Sequence, residues 1–303
     1  MLDLIKGFHI EPTNMCPLKC PGCERTKFKN QFPSKWANKN LNLEHLKSFL
    51  DIDLSGKIIK LCGNKGDPIY YNRLLELIEY FKNQGSSIII NTNGSYQSSD
   101  WWNQLGGLLE KTDNVIFAID GLPSNFKKYR INADWDSIRL GINVLTKYSV
   151  HTVWKFIPFS FNETNVEEAN ILADKLGMNE FYVGLSDRWD EELEWLKPSD
   201  NFLGWRHESI VEWRKDNSTG NIDPRCKTSN EYHYISSDGF YVPCCFFADY
   251  RFYYKSEFYK NRDLYDISKT SITKILQSDH CSKFYSSIEE MRNPCCTFSC
   301  PKL

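Results

Sequence analysis

The chain has 303 residues, with 37 basic and 39 acidic side chains and a net charge of −2. That length suffices for one large α/β domain and a small appendage, and the interleaved, near-neutral charge leaves no electrostatic footprint for nucleic acid. No run of about twenty apolar residues reads as a membrane span. No signal peptide precedes Gly7, so the expectation is a cytoplasmic protein with neither membrane nor nucleic acid as partner. Eleven cysteines would suit a short secreted disulfide scaffold. Here they are bunched at 16–23 and 226–300 with Cys62 between, the pattern of metal or cluster ligation in a reducing compartment.

Apolar periodicity predicts strands alternating with helices. A first strand over 7–10 delivers the chain to Cys16-Pro17-Leu18-Lys19-Cys20-Pro21-Gly22-Cys23, and residues 24–40 read as a basic surface loop. Leu43, Leu46, Phe49 and Leu50 recur at helical spacing. A strand over 57–62 ends in Gly63-Asn64-Lys65-Gly66-Asp67-Pro68, and the helix marked by Leu74, Leu77, Ile78 and Phe81 is closed by Gly85. Strands over 87–92 and 115–120 turn at Asn93-Gly94 and Asp120-Gly121, with a helix through 101–109 between them. A helix over 136–147, a strand over 152–158, a helix over 165–176 and a strand over 180–185 complete the series. Such alternation means a parallel sheet, in which chemistry collects at the carboxyl ends of the strands. The cysteine loop, Gly66-Asp67-Pro68, Asn93-Gly94 and Asp120-Gly121 all fall at such ends. Taken singly each is also an ordinary turn; together they point to one site.

Three cysteines at C-x3-C-x2-C spacing can hold a cluster of four irons while leaving one iron open. Electron carriers use four thiolates per cluster and structural zinc uses four ligands, usually as two close pairs. A zinc knuckle or chance thiols are the competing reading. At these residues the chain resembles the radical S-adenosylmethionine (radical SAM) enzymes. The resemblance implies that Cys16, Cys20 and Cys23 hold a 4Fe–4S cluster whose open iron chelates the methionine part of SAM, and that reduction releases a 5′-deoxyadenosyl radical. Gly22 stands where the family often has an aromatic residue, which is expected to loosen the packing around the cluster.

The family's six-strand partial (β/α)6, TIM-like barrel is similar to residues 1–187 of this chain. Gly66-Asp67-Pro68 resembles the segment that holds the SAM amine, with Asp67 and Lys65 departing from its usual Glu and Gly. Ile90-Asn91-Thr92-Asn93-Gly94 resembles the third-strand ending, and Asn93 joins the expected SAM contacts. Ala118-Ile119-Asp120-Gly121-Leu122 resembles the fourth-strand segment whose acid, here Asp120, lies near the SAM ribose; a carboxylate suits a diol because it accepts two hydroxyl hydrogen bonds.

Residues 188–221 read as a bridging segment whose tryptophans, among them Trp189, Trp195, Trp205 and Trp213, pack between domains, with a linker at 217–220. After Cys226, strands around Ser236-Ser237-Asp238-Gly239 predict a β-hairpin that returns Cys244 toward Cys226. A helix over about 271–291 leads to Pro294-Cys295-Cys296-Thr297-Phe298-Ser299-Cys300. This part, 222–303, resembles the SPASM and twitch domains of radical SAM enzymes. The number of cysteines favours the one-cluster twitch type, a small hairpin-plus-helix domain. The resemblance implies an auxiliary 4Fe–4S cluster on Cys226, Cys244, Cys296 and Cys300, with Cys295 a rival for the third place and zinc the rival metal. Cys245 and Cys281 read as buried small hydrophobes.

The expected function is reductive SAM cleavage followed by hydrogen abstraction, with two 4Fe–4S clusters, SAM, and a flavodoxin- or ferredoxin-type electron donor. The substrate is expected to be a peptide or protein; a small alcohol or sugar is the alternative, and a non-catalytic iron–sulfur or zinc scaffold the more remote one. Lys155, Asp187 and Arg188, at or beyond the ends of the last two strands, are candidates for substrate contact or proton transfer, or else ordinary surface charge.

Overall fold

The computed structural model of the chain describes residues 5–184, 186, 191–199, 202, 222–224, 226, 233–288, 295–296 and 300. Its frame is one sheet built from β1 (Gly7–Ile10), β2 (Ile58–Leu61), β3 (Ser87–Thr92), β4 (Asn114–Ala118), β5 (His151–Phe156), β6 (Glu180–Val183), β7 (His233–Ile235) and β8 (Tyr241–Val242). The strand order is β6-β5-β4-β3-β2-β1-β7-β8. Each neighbouring pair is parallel except β7 and β8, which form an antiparallel hairpin. β6 and β8 sit at opposite edges, so the sheet is open, as a partial barrel requires.

Five helices form in the βα connections: α2 (Leu43–Phe49), α3 (Leu74–Asn83), α4 (Ser99–Leu108), α5 (Trp135–Leu145) and α6 (Val166–Lys175), with α1 (Glu24–Gln31) preceding them. Asn42, Ser98 and Asp134 cap α2, α4 and α5 by accepting from backbone N–H groups of the first turn. α3 buries Leu74, Leu77, Ile78 and Phe81, each contributing about 1.5–3 kcal/mol on leaving water. Gly85 follows it at φ 76°, a conformation that favours glycine. Gly141 on α5 meets the Trp102 ring so closely that an added Cβ would lie 2.6 Å from it.

The two faces of the sheet differ. Ile88, Ile90, Val115, Phe117, Trp154 and Phe156 are buried among the helices. Their alternates Ile89, Asn91, Ile116, Ala118 and Lys155 are only partly covered and line the concave side. That alternation leaves an accessible hollow above the sheet, into which the carboxyl ends of the strands open.

The six predicted barrel strands form within two residues of their expected limits. Residues 24–40 differ from the expected loop. They contain α1 and a turn of 3-10 helix at Pro33–Lys35. The expected hairpin forms and also extends the barrel's own sheet, because β7 pairs with β1 at Phe8–His233, His9–Tyr234 and Ile10–Ile235. Beyond it lie α7 (Tyr250–Tyr253), α8 (Glu257–Lys260), α9 (Ile272–Gln277) and α10 (Asp279–Ser287). The single helix predicted over 271–291 is thus two, broken where Ser278 takes extended backbone and its side chain accepts from Cys281 N–H. Among the described residues no helix is long and apolar enough to cross a membrane. The expected linker at 217–220, and Trp189, Trp205 and Trp213, lie outside the described residues; Trp195 is described and is exposed.

Candidate active site

The cysteine loop leaves β1 and ends at α1. Cys23 is the N-cap of α1 and accepts the first helical bond from Lys27 N–H at 3.0 Å. A sulfur at a helix N-terminus gains from the unpaired N–H groups there. The loop is folded on itself by Cys23 N–H donating to the Cys20 carbonyl, 3.1 Å. Cys16 and Cys20 are each electrostatic neighbours of Cys23. Burial pushes the Cys16 thiol up to about 12 and the Cys20 thiol up to about 11. As free thiols both keep their protons at neutral pH. Ligation requires losing those protons, and the guanidinium groups of Arg25 and Arg130 beside them favour the thiolate.

Gly22 does not leave a gap. A Cβ there would lie 3.0 Å from the Tyr129 hydroxyl and 3.3 Å from Leu193 Cδ1. The largely buried Tyr129 ring therefore supplies from another loop the aromatic cover expected at position 22.

The Gly66-Asp67-Pro68 segment lies against the cysteine loop, with Asp67 N–H donating to the Met15 carbonyl at 3.0 Å. Gly66 is obligatory: an added Cβ would stand 1.8 Å from the Thr13 carbonyl oxygen. The Asp67 carboxylate is buried and accepts from Ile69 N–H, the Thr92 hydroxyl, and both the backbone and side-chain N–H of Asn93. Burial raises its pKa, while those donors hold it down. Asp67 is thereby a brace between the second and third strand ends, and Pro68 opens the short 3-10 turn Pro68–Tyr70 that it caps. Asn93 completes the link: its side-chain amide reaches Cys16 Sγ at 3.7 Å, and its carbonyl accepts from the Tyr70 hydroxyl at 3.1 Å.

Asp120 is placed on the same rim, but its carboxylate is wholly buried. One oxygen accepts from Arg130 Nε at 2.7 Å and the other from Ile157 N–H at 3.0 Å. Its pKa is raised by desolvation and held down by Arg130. Arg130 in turn is an electrostatic neighbour of Cys20, so this pair stands directly beside the cysteine loop. Lys155 projects from β5 into the concave side; desolvation and the nearby Lys60 and Arg130 lower its pKa, against the pull of Cys62 and Asp120. Asp187 and Arg188 lie outside the described residues.

One buried acid carries no motif. Glu11, directly after β1, accepts from Lys65 N–H at 2.6 Å and Gly66 N–H at 3.1 Å through one oxygen. Its other oxygen accepts from the Tyr234 hydroxyl at 3.0 Å and the Ser237 hydroxyl at 3.2 Å. The only local signal for it is its place at the carboxyl end of the first strand.

In the C-terminal part, Cys226 has Cys244, Cys296 and Cys300 as electrostatic neighbours. Cys295 joins the group, donating to Cys244; that bond lowers the Cys244 pKa and raises its own. Cys300 N–H donates to the Cys296 carbonyl at 2.8 Å, folding these two into one turn. Cys245, expected to be buried, is only partly so and has Cys244, Lys60 and Cys62 as electrostatic neighbours; Cys281 is fully buried, as expected. Among the described residues no three His, Cys, Asp or Glu side chains are gathered as one metal ion requires. A four-iron cluster carries its thiolates on the corners of a cube and holds them wider apart. By donor chemistry alone both thiol groups suit iron–sulfur clusters, the first with three sulfurs and two flanking cations, the second with four or five sulfurs.

Residues 226–301 match the family model of SPASM, an iron-sulfur cluster-binding domain. No curated protein matches the chain. Among solved structures, Streptococcus suis SuiB bound to S-adenosylmethionine is similar at TM-score 0.63 and 13% identity, over 94% of this chain and 68% of that one. Native anSMEcpe with bound AdoMet gives 0.58 and 16%, over 92% and 82%. BtrN in complex with AdoMet and 2-DOIA gives 0.51 and 13%, over 100% and 95%. At these identities the likeness is one of fold. The chain has the partial-barrel fold of these structures, and its residues 226–301 match the SPASM model.

Proposed function

We propose that the chain is a radical SAM enzyme that modifies or oxidises a peptide or protein with the help of an auxiliary 4Fe–4S cluster. The observation that carries it is the electrostatic proximity of Cys16 and Cys20 to Cys23, with the Asp120–Arg130 pair and Asn93 beside them, at the carboxyl ends of an open parallel sheet. When bound, the first cluster and SAM supply a 5′-deoxyadenosyl radical able to take hydrogen from an unactivated carbon. The chain's own residues do the rest. Glu11 and Asp67 fix the backbone of residues 65–67, proposed to hold the SAM amine with Gly66 and Pro68. Asn93 donates toward Cys16. Asp120 is proposed for the ribose, a role that requires its Arg130 pair to open. Lys155, whose lowered pKa makes the neutral amine more accessible, is proposed for substrate contact or proton transfer, with Asp187 and Arg188. Cys226, Cys244, Cys296 and Cys300 are proposed to hold the auxiliary cluster.

Two neighbours support a peptide substrate: SuiB is solved bound to the precursor peptide SuiA, and anSMEcpe with the peptide Cp18Cys. A second reading, a small alcohol or sugar, is favoured by BtrN, whose chain is covered to 95% against 68% and 82% for SuiB and anSMEcpe. The test is anaerobic reconstitution, reduction with dithionite and assay for 5′-deoxyadenosine. None above the background of iron-free protein would leave a non-catalytic scaffold.

A further inference from the structure

Two lysines stand on the concave side of the sheet. Lys60 on β2 lies between Ile59 and Leu61, and Lys155 on β5 lies between Trp154 and Phe156. Those four neighbours are buried among the helices, so both lysines turn to the opposite face. Lys155 has room to extend there. Its partner in register on β4 is the small Ala118, and on β6 it is Tyr182. Two residues further on, a Cβ added to Gly184 would lie 3.0 Å from Lys155 Cε. Lys60 is an electrostatic neighbour of His9 on β1, Lys155 on β5 and Cys245 beyond the hairpin, so its charge is felt on three sides of the hollow. Among the described residues Lys155 forms no ion pair. Asp120, whose field it feels, already accepts from Arg130 Nε and Ile157 N–H. On β3, between the two lysine strands, Asn91 Nδ2 is shut off from solvent and has no hydrogen-bond partner among the described residues. A buried donor left unmatched is uncommon in a folded chain. All three nitrogens are donors.

We propose that Lys60, Asn91 and Lys155 form a subsite for a carboxylate of the substrate. It rests on the reading of the substrate as a peptide and names the part of it that the hollow holds. On a peptide that anion is a Glu or Asp side chain or the chain end. Two cations and one amide match its two oxygens, which together accept up to about four hydrogen bonds. Ile89 and Ile116, on the same face, lower the local dielectric and strengthen each contact. Desolvation and the neighbouring Lys60 charge both disfavour the ammonium form of Lys155. A carboxylate bound beside it offsets that repulsion and keeps its proton in place, so its part is contact and not proton transfer.

The test uses the reconstituted chain with SAM and equilibrium dialysis of radiolabelled tripeptides. Acetyl-Ala-Glu-Ala amide should bind at least about tenfold more tightly than acetyl-Ala-Gln-Ala amide, the scale of a hydrogen bond to a charged group. If the subsite takes the chain end instead, the same gain appears in the Gln peptide with a free C-terminus. Lys60→Met and Lys155→Met should each remove most of the preference, and Lys155→Arg should keep most of it. The two lysines stand on different strands, so failure of one variant to fold leaves the other readable. Equal affinities, or no binding of either acid-bearing peptide at millimolar concentration, overturn the proposal. So does a preference that survives both Met variants, or tighter binding of the phosphoserine peptide, which would give the hollow to a phosphate. Free glutarate binding as tightly as the Glu peptide strikes the peptide reading and leaves the carboxylate subsite standing. Selective binding by a chain that makes no 5′-deoxyadenosine with dithionite strikes the enzyme reading in the same way.

Discussion

The Tyr234 hydroxyl donates to Glu11 Oε2 at 3.0 Å, while Glu11 Oε1 accepts from the backbone of Lys65 and Gly66. One carboxylate thus ties the loop proposed for SAM to the hairpin that leads to the second cysteine group. Tyr234→Phe should lower stability by about 1.5–3 kcal/mol, the range for a hydrogen bond to a charged group. Glu11→Ala should cost more, because it also removes the acceptor of two partly buried N–H groups. Urea unfolding of the two single variants and the double checks this. Strictly additive losses would show that the two residues do not act on each other.

Changing Cys16, Cys20 and Cys23 to Ala should abolish 5′-deoxyadenosine formation and leave the second group's iron in place. The expected iron content falls from about eight to about four per chain, the content of one four-iron cluster. Iron and sulfide analysis beside the SAM assay measures it. A triple variant that still cleaves SAM would refute the first-cluster assignment.

Replacing Cys226 and Cys244 with Ala should also halve the iron, but reductive SAM cleavage should continue while substrate turnover stops. Zinc in place of the second cluster, found by metal analysis of the unmodified chain, would remove the oxidative role.

Asp120→Ala should weaken SAM binding by about 1–3 kcal/mol, whether the carboxylate meets the ribose or only holds Arg130. Arg130→Met separates the two: if Asp120 binds ribose directly, its release from Arg130 leaves SAM affinity nearly unchanged. Calorimetry of the two variants reads the difference, and wild-type affinity in Asp120→Ala would take the residue out of the site.

Glu24 makes stability depend on pH. Its folded pKa, raised by burial to about 8, lies above that of an unfolded Glu. The folded state therefore holds its proton while the unfolded state loses it. The contribution is fully present below about pH 4.3 and drains away as pH rises toward 8, by up to about 1.4 kcal/mol per pH unit. Glu24→Gln should flatten that slope and leave the variant more stable than its parent at pH 8. Parallel slopes in urea unfolding at pH 5 and 8 would refute the buried neutral acid.

The sequence made the barrel legible because each strand is a short apolar run and each helix an apolar stripe, separated by glycines that the backbone needs. α1 escaped because it buries only Glu24, Arg25 and Phe28, and its lysine-rich sequence has no apolar period; its place after the cysteine loop makes it a helix. The three cysteines were readable by spacing. Glu11 was not, since its donors sit at 65–66 and 234–237 and nothing local signals a bond across that distance. The Tyr129 cover of Gly22 was hidden for the same reason, as shape complementarity between distant loops leaves no pattern in either.

The pairing of β7 with β1 also orders events during synthesis. Phe8, His9 and Ile10 must wait for residues 233–235 before both edges of β1 are bonded. Until then the barrel presents a bare, fully buried-type strand of the kind that recruits other chains. A contact between such distant residues also slows folding, because the intervening loop must close first. A ribosome-bound chain lacking the hairpin would therefore be sticky on the very strand that leads to the first cysteines.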